Sequence, residues 1–208
     1  EAGTGIGKTF AYLVPALLSG QKIIISTGTK TLQDQLYHRD LPLISKAIGR
    51  PLSTALLKGR SNYLCLNRAK LATSNDKYIA RDLKLVNQWL HRTIVGDRSE
   101  LIDISETSSV WPLVTSTIDN CLGRKCPEYN DCHVVKARKN AQESDLVVIN
   151  HHLLLADLTI KDEGFAEFLP SAQAMILDEA HQIPDLAAQF FGISIGNIEI
   201  ERLCNELL

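Results

Sequence analysis

The sequence predicts an α/β fold built on a parallel sheet, and three observations carry that prediction. The runs at residues 22–26 (KIIIS), 146–149 (LVVI) and 174–177 (AMIL) are short, apolar and not alternating, the pattern of strands covered on both faces. Helix-spaced apolar residues alternate with these runs towards both ends of the chain. A glycine-rich loop stands directly before the first helical pattern. The length, 208 residues, allows one or two domains.

Taken in order, the loop comes first. Ala2, Gly3, Thr4, Gly5, Ile6, Gly7, Lys8 and Thr9 match the phosphate-loop pattern from its second position onward, with Ala2 where the pattern has glycine. Gly5 and Gly7 let backbone N–H groups turn inward around phosphate oxygens, and the positive end of the next helix points the same way. Lys8 is placed to reach the β- and γ-phosphates of ATP, and Thr9 to hold Mg²⁺. A helix follows on Phe10, Leu13, Val14, Leu17 and Leu18, with Gly20 as its stop and Pro15 expected to kink it. After the KIIIS strand, residues 30–37 read as a helix ending before Pro42. Thr27, Thr29, Lys30 and Gln33 in this stretch suit contact with the phosphates of a single strand, and plain N-capping by Thr29 is the competing role.

The middle breaks the alternation. Residues 58–143 contain no long apolar strand, one amphipathic helix near 77–91, and four of the five cysteines, and read as an insertion. The cysteine count is odd and no secretory signal is visible in the sequence, so a disulfide framework is the weaker expectation. Cys121, Cys126 and Cys132, with Cys65 upstream, do not show zinc-finger spacing. Four thiolates can hold a [4Fe–4S] cluster, and a structural zinc site or buried free thiols remain open. Cys204 lies apart and reads as a core thiol. Tyr63 and Trp111 can stack on bases, although single aromatics usually serve a core.

Beyond the insertion, Asn150, His151 and His152 follow the LVVI strand, and capping or core roles are expected of them over metal ligation. The AMIL strand ends in Asp178, Glu179, Ala180 and His181. A carboxylate at a strand's C-terminal end is placed for Mg²⁺, and Glu179 for orienting an attacking water.

Charge is uneven. The net charge is −2, yet residues 1–75 hold ten Lys/Arg against three Asp/Glu, residues 140–208 hold two against twelve, and residues 41–75 hold six basic residues and no acidic one. A basic stretch points to a polyanion partner. The longest apolar run, nine residues at 10–18, contains Pro15, so no membrane span is expected, and a cytoplasmic location follows. The chain opens on Glu1, and the strand that should precede the loop is missing, so it reads as part of a longer protein truncated at both ends.

EAGTGIGKT, STGTKTLQDQL, the four cysteines, VINHHLLLAD and ILDEAH together resemble the superfamily 2 iron–sulfur helicases of the DinG and XPD type, the bacterial YoaA branch among them. The resemblance covers essentially the whole chain. It implies a RecA-like P-loop NTPase domain interrupted by a small iron–sulfur domain: residues 1–57 with the first motifs, 58–143 as the cluster insertion, 144–182 with the acidic motif, and 183–208 opening the next helical region. It implies 5′→3′ unwinding of single-stranded or forked DNA in repair or replication, driven by ATP and Mg²⁺. Lys8, Asp178, Glu179 and His181 would be catalytic, Gly3 to Thr9 would bind nucleotide, and Cys65, Cys121, Cys126 and Cys132 would ligate [4Fe–4S]. A fragment lacking the second RecA-like domain is expected to be nearly inactive alone. A redox-responsive iron–sulfur or zinc DNA-binding module without unwinding is the rival reading, and an upstream nuclease domain is a further one.

Overall fold

The computed structural model describes residues 7–49, 52–162, 169–192 and 204. Four strands, β1 (Ile23–Thr27), β2 (Thr54–Leu56), β3 (Leu146–Asn150) and β4 (Ala174–Leu177), form one sheet in the order β2-β3-β1-β4. Every pairing is parallel, with Ile25 opposite both Val148 and Ile176. β1 and β3 are buried along their whole length, as their unbroken apolar runs require. β2 was not foreseen. It is three residues long with only Ala55 buried, too short to leave a periodic signal.

Both faces are covered over β1 and β3, whereas the edge strand β4 leaves Met175 and Leu177 exposed on one face, against the expectation that it is covered on both. On one side Ile23, Ile25, Leu146 and Val148 pack with Leu13, Ala16 and Leu17 of α1 (Lys8–Leu18). α3 (Leu41–Ile48) adds Leu41 and Ile44 to the same cluster. On the other side Ile24, Val147 and Ile149 meet Ala55, Leu57, Ala141, Leu154 and Leu169. α1 continues through Pro15 to Leu18. Pro15 and Ala11 both lie on the exposed side, so the carbonyl that the proline leaves without an N–H partner faces solvent.

The second helical stretch corrects the expected boundary. α2 (Lys30–Gln35) runs into a wide π turn at Leu36–Asp40 and then into α3, so helical structure does not stop before Pro42. Pro42 sits in the first turn of α3, and the π turn directly ahead of it, in which Leu41 N–H reaches back to the Leu36 carbonyl, shifts the helical register there.

A third core is drawn entirely from residues 64–114. Leu83, Val86 and Trp89 of α5 (Lys77–Leu90) pack with Leu64, Ala69, Val110, Trp111 and Val114, which lie on or beside α4 (Leu66–Leu71) and α6 (Trp111–Val114). Tyr63 and Trp111 are buried, so neither presents a free ring for stacking. α7 (His133–Glu143) leads back to the sheet through Ala141, α8 (His151–Asp162) follows β3, and α9 (Ile183–Phe191) packs on α8. No helix among the described residues is long and apolar enough to cross a membrane.

Candidate active site

Gly3, Thr4, Gly5 and Ile6 lie outside the described residues. Gly7 is described and caps α1 in the left-handed conformation, φ 82°, a position that favours glycine. It turns the chain so that Lys8 and Thr9 open the helix. β4 and the turn after it deliver the acidic motif to the same place. Lys8 Nζ lies 3.3 Å from Glu179 Oε1, a contact between residues 171 positions apart. His181 Nδ1 lies 3.4 Å from Glu179 Oε2 on an exposed side chain.

Asp178 is held at three points. Its N–H donates to the Ser26 carbonyl at 2.8 Å, which keys the turn to β1. Its carbonyl oxygen lies 2.8 Å from the His151 ring. Its carboxylate accepts the Tyr12 phenol at 3.2 Å. Burial, reinforced by the Asp178 charge, pushes the Tyr12 phenol well above its ordinary pKa, so it remains a donor. Glu179 takes the left-handed conformation at φ 54°, which costs about 1–2 kcal/mol outside glycine and marks a turn held by its surroundings. The site thus sets one cation, two carboxylates and a hydroxyl (Thr9) at the C-terminal end of a parallel sheet. That donor set can bind a phosphate chain and a divalent cation.

Tyr12 escaped the sequence reading, although its place one turn after Lys8 puts it on the same helix face. The DNA-contact candidates fare differently from one another. Gln33 is fully buried and donates its amide to the carbonyls of Leu57 at 2.8 Å and Val148 at 3.2 Å. Thr27 is also buried, and its hydroxyl donates to the Thr29 carbonyl at 3.2 Å. Both side chains are spent inside the fold and leave the contact set. Thr29 is exposed and accepts from Leu32 N–H at 3.2 Å, the capping role that competed with DNA contact. Lys30 stays at the surface, on a groove also lined by Arg98 and Trp111.

Cys65, Cys121, Cys126 and Cys132 all line one cavity of about 490 Å³, with Arg60 and Arg138 among the cations around it. Cys65 stands at the start of α4 and Cys132 at the start of α7, while Cys121 and Cys126 flank the turn Gly123–Lys125. All four are free thiols, half-buried. Burial, and then the neighbouring thiols, push the Cys65 thiol above its ordinary pKa. Among the described residues no three Cys, His, Asp or Glu side chains are close enough to hold a metal ion as they stand. Convergence of four thiols on one cavity fits a sulfur-ligated group. Cys204 is exposed, so it is not the core thiol expected.

One lysine of the basic stretch is not on the surface at all. Lys58, where the chain leaves β2, places Nζ 2.7 Å from both Asp34 of α2 and Asp97 of the insertion, with 2% of its side chain exposed. Asp97 also caps the turn Arg98–Glu100. Asn150 accepts from Leu153 N–H at 2.9 Å and caps α8, and His151 is buried, as the capping and core reading expects, whereas His152 is exposed and meets Phe190 edge to face, so it is neither.

The sequence model of the DEAD_2 family matches residues 29–200. The chain is 54% identical over its whole length to the ATP-dependent DNA helicase YoaA of Escherichia coli, of which it covers 33%. It is 35% identical to the ATP-dependent DNA helicase DinG of Photobacterium profundum, with 91% of this chain and 30% of that protein covered. It is also 35% identical to the 3'-5' exonuclease DinG of Bacillus subtilis, over 96% of this chain and 22% of that protein. The chain spans a third or less of the length of these relatives.

Proposed function

The chain belongs to the DEAD_2 family, and we propose that it supplies the ATP-binding part of an ATP-dependent DNA helicase that acts on single-stranded or forked DNA with 5′→3′ polarity. The observation that carries this reading is the meeting of Lys8 with Glu179, beside Asp178, at the C-terminal end of the parallel sheet. ATP phosphates draw Lys8 away from Glu179, because a polyphosphate outcompetes one carboxylate for the ammonium. Thr9 and Asp178 would hold Mg²⁺, which supplies charge neutralisation to the phosphates when bound, and the Tyr12 phenol steadies the Asp178 carboxylate. Glu179, released from Lys8, orients the attacking water, and His181 beside it passes the change in the site towards DNA. The relatives named as ATP-dependent DNA helicases support this assignment.

Residues 1–57 and 144–182 form the helicase domain in this account, 58–143 the insertion, and 183–208 the start of the region that follows. Cys65, Cys121, Cys126 and Cys132 would hold a [4Fe–4S] cluster, a reading supported by their convergence on one cavity lined by arginines. The group would tie the starts of α4 and α7 to the turn at Gly123–Lys125 through these four side chains, and so would stiffen the insertion. The fragment alone hydrolyses ATP poorly, because a catalytic arginine from a second domain is typically worth roughly 10³–10⁵ in rate. A nuclease domain elsewhere in the whole protein is a second reading, supported by the name of the Bacillus subtilis relative.

The test is made on the full-length protein. Lys8→Ala abolishes unwinding of a forked duplex and leaves DNA affinity within about twofold, since phosphate contacts of the DNA lie elsewhere. Unwinding by that variant overturns the assignment in favour of a DNA-binding module without a motor. Anaerobic purification yields about four iron and four sulfide per chain, lost on replacing Cys121 with serine. One zinc per chain and no sulfide contradicts the cluster.

A further inference from the structure

The histidine pair after β3 takes no part in the chemistry above, yet His151 has no exposed surface and touches two of its parts. Its Nε2 lies 2.8 Å from the Asp178 carbonyl oxygen and its Nδ1 lies 2.7 Å from Ser26 Oγ. A carbonyl oxygen only accepts, so Nε2 carries the proton. Nδ1 is then an acceptor, and the Ser26 hydroxyl donates to it. The result is a directional chain from the Ser26 hydroxyl through the imidazole to the backbone of the acidic motif, joining β1, α8 and the turn after β4.

The loop that follows Ser26 leans on the same motif at a second point. A Cβ built on Gly28 would lie 2.4 Å from Gln182 Oε1, so glycine lets the end of the Gln182 side chain, next to His181, rest against the turn after β1, and a larger residue would push that side chain aside. Asp178 N–H also returns to the Ser26 carbonyl at 2.8 Å. Displacement of the loop at 27–30 therefore reaches the carbonyl that precedes Glu179, whose left-handed backbone sets the direction of its carboxylate.

We propose that His151 is a positioning residue: it holds the Asp178 carbonyl so that Glu179 is correctly aimed, and through Ser26 it makes that aim depend on the turn from β1 into α2, whose first residue is Lys30, where a DNA strand would lie. The proposal rests on the reading that this site hydrolyses ATP under the influence of DNA. It assigns the response to DNA to a hydroxyl–imidazole–carbonyl chain inside the domain.

The experiment measures ATP hydrolysis by the full-length protein with and without single-stranded DNA, for wild type, Ser26→Ala, His151→Gln, His151→Phe and the Ser26→Ala/His151→Phe pair. His151→Phe lowers the DNA-stimulated kcat about tenfold or more with KM for ATP within about twofold. His151→Gln, whose amide still donates to the carbonyl, recovers most of that loss. Ser26→Ala lowers the ratio of DNA-stimulated to DNA-free rate about threefold, and the pair is no worse than His151→Phe alone. Should His151→Phe fail to fold by thermal melting, Ser26→Ala and His151→Gln still decide the matter. A stimulation ratio unchanged in Ser26→Ala, or additive losses in the pair, overturns the coupling while leaving ATP hydrolysis intact. A wild-type protein without ATP hydrolysis overturns the underlying reading first, and the coupling with it.

Discussion

Lys58 shows what a single residue can conceal. In the sequence it is one of six cations in an acid-free stretch, indistinguishable from its neighbours. In the fold it is buried and shared by Asp34 and Asp97, so its charge serves the joint between α2 and the insertion. Lys58→Met leaves the buried Asp97 carboxylate and the part-exposed Asp34 carboxylate without their shared cation and is expected to cost about 2–3 kcal/mol. Urea unfolding measures this, and addition of Asp34→Asn and Asp97→Asn restores most of it. A stability unchanged by the single substitution would mean that the triad is incidental. Lys8, Asp178 and Glu179 were legible because their types and spacing are tied to phosphate chemistry. Tyr12 and the Ser26–His151 pair were not, since each acts by a contact that only the fold makes. Thr27 and Gln33 misled because their polar side chains satisfy backbone carbonyls from inside the domain.

At the scale of elements, the strands with unbroken apolar runs were read nearly to their ends. β2 was missed, and so was the continuation of α2 through a π turn towards Pro42. Both failures have one origin: a short edge strand and a widened helical turn are imposed by neighbours and leave no periodicity of their own. The helix at 77–91 was legible from its amphipathic pattern, and Trp89 on it is 5% exposed within a core separate from the sheet. Trp89→Ala is expected to cost about 3–5 kcal/mol. Because that core is drawn from residues 64–114 alone, hydrogen exchange should accelerate there first, with β1 and β3 still protected. Equal acceleration in the sheet would show that the insertion has no independent stability.

For the whole molecule, the opposed charges of the two ends are partly spent on each other and on the interior. Lys8 pairs with Glu179, Lys70 with Glu128 at 2.6 Å, Lys58 is buried, and Arg68 donates to the Pro112 carbonyl. The basic stretch is therefore a weaker advertisement for nucleic acid than its count implied. The proposal of a DNA motor rests instead on membership of the DEAD_2 family and on the meeting of Lys8 with Glu179.

Turnover of ATP by the full-length protein in the presence of single-stranded DNA, wild type against Glu179→Gln, tests that site most directly. The amide keeps the size of the side chain and removes the base. The account predicts ATP still retained in filter binding, with hydrolysis slowed roughly 100-fold or more. Hydrolysis within about threefold of wild type would contradict it.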